Sequence, residues 1–211
     1  MGHSLVSKKL FFKHIPFVVS KKGVLYKKGE RIMKRKTIFS DTDGVIAMYN
    51  RAGFIKDKKT GIMPYEIPGD HYFLKCIPDE VIIKAYKIIA ENANLCILTN
   101  IDSSLEAAQE HTDDKFIWIA EKMPFIDVSK QLHVIDVPKY KKAQEILGRQ
   151  LKADDVLISD FNRDLLPWEE KGGHGIKYLN GINSPSFEGS TVSHKMSAED
   201  IAECILKCAG V

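Results

Sequence analysis

Two short runs without a polar residue, Leu95-Cys96-Ile97-Leu98 and Val156-Leu157-Ile158, constrain this chain more than any other feature. A strand with one solvated face alternates apolar and polar side chains. A strand apolar at every position needs cover on both faces, as in a parallel sheet flanked by helices. The rest of the chain meets that demand. Thr37–Ser40, His133-Val134-Ile135 and residues 175–179 read as further short strands, separated by stretches with helical spacing. Over 79–92, Val81, Ile82, Ala85, Ile88 and Ile89 share one face, with Pro78 at the start. Residues 103–110 and 114–122 read as two helices. Pro138 opens a helix to about Leu147, which Gly148 stops; 165–171 is closed by Gly172-Gly173; 198–209 is the last. The expected fold is α/β, a Rossmann-like, doubly wound parallel sheet.

Composition agrees. Of 211 residues 44% are apolar and 28% charged, the balance of a globular, water-soluble chain. No stretch approaches the roughly 20 apolar residues needed to cross a bilayer, so no membrane association is expected. Cys76, Cys96, Cys204 and Cys208 lack the paired Cys-x-x-Cys knuckles of a zinc site and read as free thiols in a reducing cytoplasm.

The net charge of +3 is unevenly placed. Residues 1–32 carry Lys8, Lys9, Lys13, Lys21, Lys22, Lys27, Lys28 and Arg31 against Glu30 alone, a net +7 that leaves −4 for the remainder. This extension admits three readings: a basic arm for nucleic acid or anionic lipid, a hairpin with Phe17-Val18-Val19 and Val24-Leu25-Tyr26 flanking a Ser-Lys-Lys-Gly turn, or a non-native stretch ahead of a start at Met33. The organisation expected is therefore this extension over 1–32 and a main domain over 33–211. Within the latter, 46–77 breaks the alternation. It holds Tyr49, Phe54, Tyr65, His71, Tyr72 and Phe73 among glycines and prolines, and is read as a cap inserted after the first strand. The acidic body speaks against nucleic-acid binding.

In a doubly wound sheet, functional groups gather at the carboxyl ends of the strands. There the first strand delivers Asp41 and Asp43, and the second Thr99 and Asn100. A helix start offers Lys139, Lys141 and Lys142, and the later strand delivers Ser159, Asp160 and, one turn on, Asp164. Singly each has a plain explanation: a turn, a cap, a solvated face. Together they are the parts of phosphoryl transfer. Carboxylates hold a hard cation such as magnesium, an ammonium and the cation offset the phosphoryl charge, one carboxylate attacks, and a second moves the proton.

At these residues the chain resembles the haloacid-dehalogenase-like superfamily, and within it the 5′(3′)-deoxyribonucleotidase-like branch, from about Arg35 to the end. Asp41-Thr42-Asp43-Gly44-Val45 is similar to the motif carrying the nucleophile and the acid/base. Leu98-Thr99-Asn100 is similar to the phosphate-holding motif, and Leu157-Ile158-Ser159-Asp160 to the metal-binding one. Lys142-Ala143 with Ile146 fits the lysine motif best, with Lys139 as runner-up. The run from Trp168-Glu169 through Gly172-Gly173 to Asn180-Gly181-Ile182-Asn183 is similar to the branch's tail. The resemblance implies magnesium bound by Asp41, Asp160 and the backbone carbonyl of Asp43. It implies Asp41 and Asp43 as catalytic residues, Thr99, Asn100 and Lys142 as phosphate ligands, and Asp164 in support. Ser159 departs from the branch's paired acids, and Asp164 four residues after Asp160 matches the superfamily's other variant. The expected substrate is a small phosphate ester, a nucleoside monophosphate by preference. A receiver-like phosphoacceptor and a non-catalytic binding protein are the alternatives.

Overall fold

The computed structural model describes residues 17–19, 25–27, 35–48, 61 and 67–211. The chain divides into two compact units, Met1–Lys34 and Arg35–Val211. In the first, β1 (Phe17–Val19) pairs antiparallel with β2 (Leu25–Lys27), Phe17 opposite Lys27. The hairpin reading placed the second strand one residue earlier.

The second unit is built on a six-stranded parallel sheet. Its strands are β3 (Thr37–Ser40), β6 (Asn94–Asn100), β7 (Leu132–Ile135), β8 (Val156–Ser159), β9 (His174–Leu179) and β10 (Ser190–Ser193), in the order β10-β9-β8-β3-β6-β7. The chain starts at the centre, winds outward through β6 and β7, then returns to the other side of β3. The topological switch lies at β3, where crevices open at the carboxyl end of such sheets. The flanking helices are α1 (Glu80–Asn92), α2 (Ala108–Lys122), the one-turn α3 (Val128–Gln131), α4 (Lys139–Leu147), α5 (Asn162–Glu170) and α6 (Ala198–Cys208).

The apolar strands are explained by two cores. Ile38, Leu95, Ile97, Val156 and Ile158 face one side with Ile82, Tyr86, Ile89, Trp118, Ile201 and Ile205. Phe39, Cys96, Leu98 and Leu157 face the other with Ala143, Leu165 and Trp168. Alternate residues of one strand thus serve opposite layers. Trp168 meets Phe39 edge to face at 5.4 Å, and its indole N–H donates to the Asp155 carbonyl at 2.9 Å. A Cβ at Gly173 would stand 2.2 Å from Trp168 Nε1, so this glycine makes room for the indole.

Several elements differ from the sequence reading: the helix read over 165–171 runs Asn162–Glu170, and the one-turn α3 was not anticipated. Residues 103–107 are turn and only Ala108–Lys122 is helix, because Asp102 Oδ1 accepts from the Ser104 N–H at 3.0 Å and from its hydroxyl, a local turn that competes with helix. Edge strand β10 was not anticipated; Val192 is its one buried residue. No helix among the described residues is long and apolar enough to cross a membrane.

The segment read as an insertion is flanked by β4 (Ala47–Met48) and β5 (Ile77–Pro78), which pair antiparallel. Tyr49, Phe54 and Tyr65 lie outside the described residues, and so does most of the expected cap. A one-turn 3-10 helix, Tyr72–Lys75, leads into β5 and buries Tyr72 and Phe73.

Candidate active site

Asp41 follows the last residue of β3, and its N–H donates to the Ile158 carbonyl of β8 at 2.8 Å. That bond fixes the carboxylate at the switch point. Asp41 Oδ1 accepts from the Thr42 N–H at 2.7 Å; Oδ2 lies 2.8 Å from Lys139 Nζ and 3.2 Å from Ser159 Oγ. Lys139 begins α4 with its side chain only 3% exposed, and its ammonium also meets Asp164 Oδ2 at 2.5 Å. Ser159 Oγ stands 3.3 Å from the same Asp164 oxygen, so one lysine and one hydroxyl tie Asp41 to the first turn of α5.

Two residues on, the chain turns sharply. The N–H groups of Val45, Ile46 and Ala47 all donate to the Thr42 carbonyl, and Gly44 at φ 76° permits the turn. Asp43 is thereby presented beside β6. Its Oδ2 accepts from Thr99 Oγ1 at 3.1 Å and from Lys115 Nζ at 2.5 Å. Lys115 also donates to Thr99 Oγ1 at 2.6 Å, and its ammonium sits 4.7 Å from the centre of the Phe73 ring.

Lys115 was not foreseen. Mid-helix lysines are ordinarily solvated, yet Lys115 precedes the buried Trp118 and Ile119 by three and four residues and so shares their inward face. That spacing was the available signal.

Asp160 follows the last residue of β8 and is completely buried. Its Oδ2 accepts from Asn180 Nδ2 at 2.8 Å and Asn183 Nδ2 at 2.6 Å; Asn180 Nδ2 also donates to the Gly44 carbonyl at 2.7 Å. The other oxygen, Oδ1, is buried with no hydrogen-bond partner among the described residues. Leaving a buried carboxylate oxygen unpaired is costly, and a cation is a group that would satisfy it.

The titration of the cluster points the same way. Burial above all pushes Asp41 from 3.8 up to about 7; Lys139 opposes this, while Asp164, Asp43 and Asp160 reinforce it. Burial likewise raises Asp160 to about 6, against the two asparagine hydrogen bonds and with Asp43 adding to the rise. Burial works against the Lys139 ammonium, but Asp41 and Asp164 outweigh it and shift it upward. Three adjacent carboxylates share too little positive charge. The oxygen-rich set Asp41, Asp43 and Asp160 fits a hard divalent cation such as magnesium.

Asp41, Asp43, Asp160 and Asp164 open together onto a cavity of about 890 Å³, whose wall also includes Asn100, Lys115 and Lys139. Asn100 is turned aside, its amide donating to the Val137 carbonyl at 3.1 Å.

Lys142, the sequence-based choice for the phosphate lysine, is not at the site. Its Nζ pairs with Glu145 at 2.8 Å, and it is not in the cavity wall. The physical reason is axial: at 1.5 Å per residue, three residues carry the backbone about 4.5 Å away from the sheet's carboxyl end. The residue beside Asp41 is Lys139.

A second cluster, His71, Glu110 and Asp114, holds three groups whose ligand atoms lie within 4.8 Å of one another. Glu110 accepts the N–H groups of Gly69 at 2.6 Å and His71 at 3.1 Å, while His71 Nδ1 lies 3.1 Å from Asp114 Oδ1. These bonds hold His71 in the left-handed conformation, φ 48°.

No protein-family model matches the sequence, and no curated protein matches it. Solved structures match its fold. A haloacid dehalogenase-like family hydrolase from Xanthomonas campestris aligns over 84% of this chain and 99% of its own, with TM-score 0.52 and 12% identity. A HAD hydrolase of family IA, variant 3, from Entamoeba histolytica aligns over 81% and 99%, with TM-score 0.55 and 11% identity. The D,D-heptose 1,7-bisphosphate phosphatase of B. bronchiseptica, complexed with magnesium and phosphate, aligns over 82% and 98%, with TM-score 0.51 and 16% identity. The fold is therefore that of the haloacid-dehalogenase-like hydrolases, an α/β Rossmann-like sheet flanked by helices. At these identities the likeness is one of fold.

Proposed function

We propose that this protein is a magnesium-dependent phosphomonoester hydrolase acting through an aspartyl-phosphate. The observation that carries the reading is the convergence of Asp41, Lys139 and Asp160 at one switch point, with a buried oxygen of Asp160 left unpaired. Structures of the same fold include a sugar-bisphosphate phosphatase complexed with magnesium and phosphate, which supports it.

Asp41 and Asp160, with the backbone carbonyl of Asp43, would hold the ion, which when bound supplies positive charge against the phosphoryl oxygens. The chain's own groups do the rest. Lys139 draws the phosphoryl group toward Asp41, and an Asp41 oxygen forms a bond to phosphorus as the ester P–O bond breaks. Asp43, its Oδ2 steadied by Thr99 and Lys115 and its side chain 28% exposed, gives its proton to the departing oxygen. The alcohol leaves. Asp43 then takes a proton from water, whose oxygen attacks phosphorus, and the bond to Asp41 breaks to release phosphate.

Within that chemistry a nucleoside monophosphate is the finer reading. It is supported by the resemblance of the motifs and by Tyr72 and Tyr140 in the cavity wall, aromatic surfaces suited to a base. Asp41→Asn should reduce magnesium-dependent turnover of an aryl phosphate by about 10⁴-fold or more. Chelating the metal should silence the wild type. Turnover surviving either treatment overturns the mechanism.

A further inference from the structure

The cavity is larger than a phosphoryl group requires. About 890 Å³ is the size that encloses a whole small ligand (roughly 300–1,000 Å³), so its wall also contacts the leaving group. Among the described residues the wall holds three permanent cations, and they are used differently. Lys139 is committed to Asp41 and Asp164, and Lys115 to Asp43 and Thr99. Arg163 makes no ion pair among the described residues; its guanidinium lies over the Phe161 ring, 4.9 Å from the ring centre.

This ring and guanidinium stand on a rigid base. The Phe161 N–H donates to Ser159 Oγ at 3.2 Å. Asn162, between the two, is clamped: its amide donates to the Ser186 carbonyl at 2.7 Å, and its oxygen accepts from the buried Lys177 at 2.6 Å. Arg163 is also the immediate neighbour of Asp164, whose carboxylate touches the lysine that anchors Asp41. A cation free of ion pairs among the described residues thus stands one residue along α5 from Asp164, which contacts the phosphoryl-binding Lys139. The other acids in the cavity wall, Asp102 and Asp136, accept from Ser104 and Ser103 and form no ion pair with Arg163, so its charge is left for a ligand.

We infer that Arg163, backed by Phe161, is a specificity residue for a second anionic group, a phosphate or carboxylate, on the leaving group of the ester. A guanidinium pairs with either through two parallel N–H bonds, and stacking on an aromatic ring holds its plane fixed. The inference rests on the phosphohydrolase reading but not on nucleotide preference.

The test uses three esters of matched length: propyl phosphate, propane-1,3-diyl bisphosphate and the phosphate ester of 3-hydroxypropanoate. With the magnesium-loaded full chain, both two-anion esters should show kcat/KM about tenfold or more above propyl phosphate, expressed in KM. In Arg163→Gln that ratio should fall to about one, and Arg163→Lys should keep part of it. Preference for one two-anion ester alone identifies the anion as phosphate or carboxylate. Calorimetric affinity of the same ligands for Asp41→Asn, with and without Arg163→Gln, reads the site without turnover. Equal kcat/KM for all three esters, or a preference that survives Arg163→Gln, overturns the inference and leaves the hydrolase standing. Failure to hydrolyse any ester overturns the hydrolase, and the calorimetric comparison still decides the role of Arg163.

Discussion

Two acidic clusters in this protein look alike in composition and differ in how their oxygens are used. Around Glu110 and Asp114, each carboxylate has found a partner. Glu110 accepts two backbone N–H groups, which hold its carboxyl below the usual range, and Asp114 faces His71, whose imidazole it shifts upward. Around Asp41, Asp43 and Asp160 the demand is unmet: burial drives two carboxyls up to about 7 and about 6, and one oxygen has no hydrogen-bond partner among the described residues. The first cluster fastens a loop to α2. The second asks for a cation. Residue types alone do not separate them; satisfied and unsatisfied oxygens do.

The contrast can be broken at either end. The largest effect is expected from Asp160→Ala. It should remove the thermal stabilisation that magnesium gives the wild type and cut turnover by about 10³-fold or more. Magnesium stabilisation that persists in this variant places the ion elsewhere, with the Glu110 cluster as the first alternative. Next comes a paired comparison within α4. Lys139→Met should lower kcat/KM for an aryl phosphate by about 10²- to 10³-fold, whereas Lys142→Met, which loses only a pairing with Glu145, should stay within about twofold. Equal losses would return Lys142 to the site.

A smaller effect lies in stability against pH. Asp41 and Asp160 bind their protons more tightly folded than unfolded, where the reference value is 3.8. From about pH 4 to 7 the folded state therefore holds more protons, and the stability of metal-free protein falls as pH rises through that window. Asp41→Asn removes most of the fall. At pH 8 the metal-free variant should unfold at a higher temperature than the wild type, the gain bounded at about 4 kcal/mol by the size of the shift. At pH 4 the two should converge; a constant offset across pH would rule out this origin. The smallest change is expected from Glu110→Gln. It should lower the unfolding temperature slightly above pH 5, lose that difference as pH falls, and leave the magnesium-induced shift intact.

Much of the candidate site was legible because parallel strands announce themselves. The runs at 95–98 and 156–158 left no choice but two covered faces, and the polar residues that end them had to emerge at one edge of the sheet. Thr99 and Asp160 follow those runs and Asp41 follows the strand at 37–40, so all three were expected at the edge where the structure places them. The lysines were harder. Lys139 and Lys142 lie three residues apart on one helix with similar neighbours in sequence, and only the height of α4 against the strand ends separates them. Lys115, Asn180 and Asn183 reach the site from elements whose approach depends on packing. Asn180 and Asn183 stood in a run noted for its family resemblance, with no role that residue type could suggest.

By itself, then, the sequence determined the class of fold, the edge of the sheet where chemistry gathers, and the carboxylates delivered there, because hydrophobic periodicity and strand direction are local properties. The tertiary structure decided which lysine meets Asp41, that Asp43 is held by Thr99 and Lys115, and that Asp160 keeps one oxygen unpaired. Those are matters of distance and burial between segments far apart in the chain, and no periodicity encodes them.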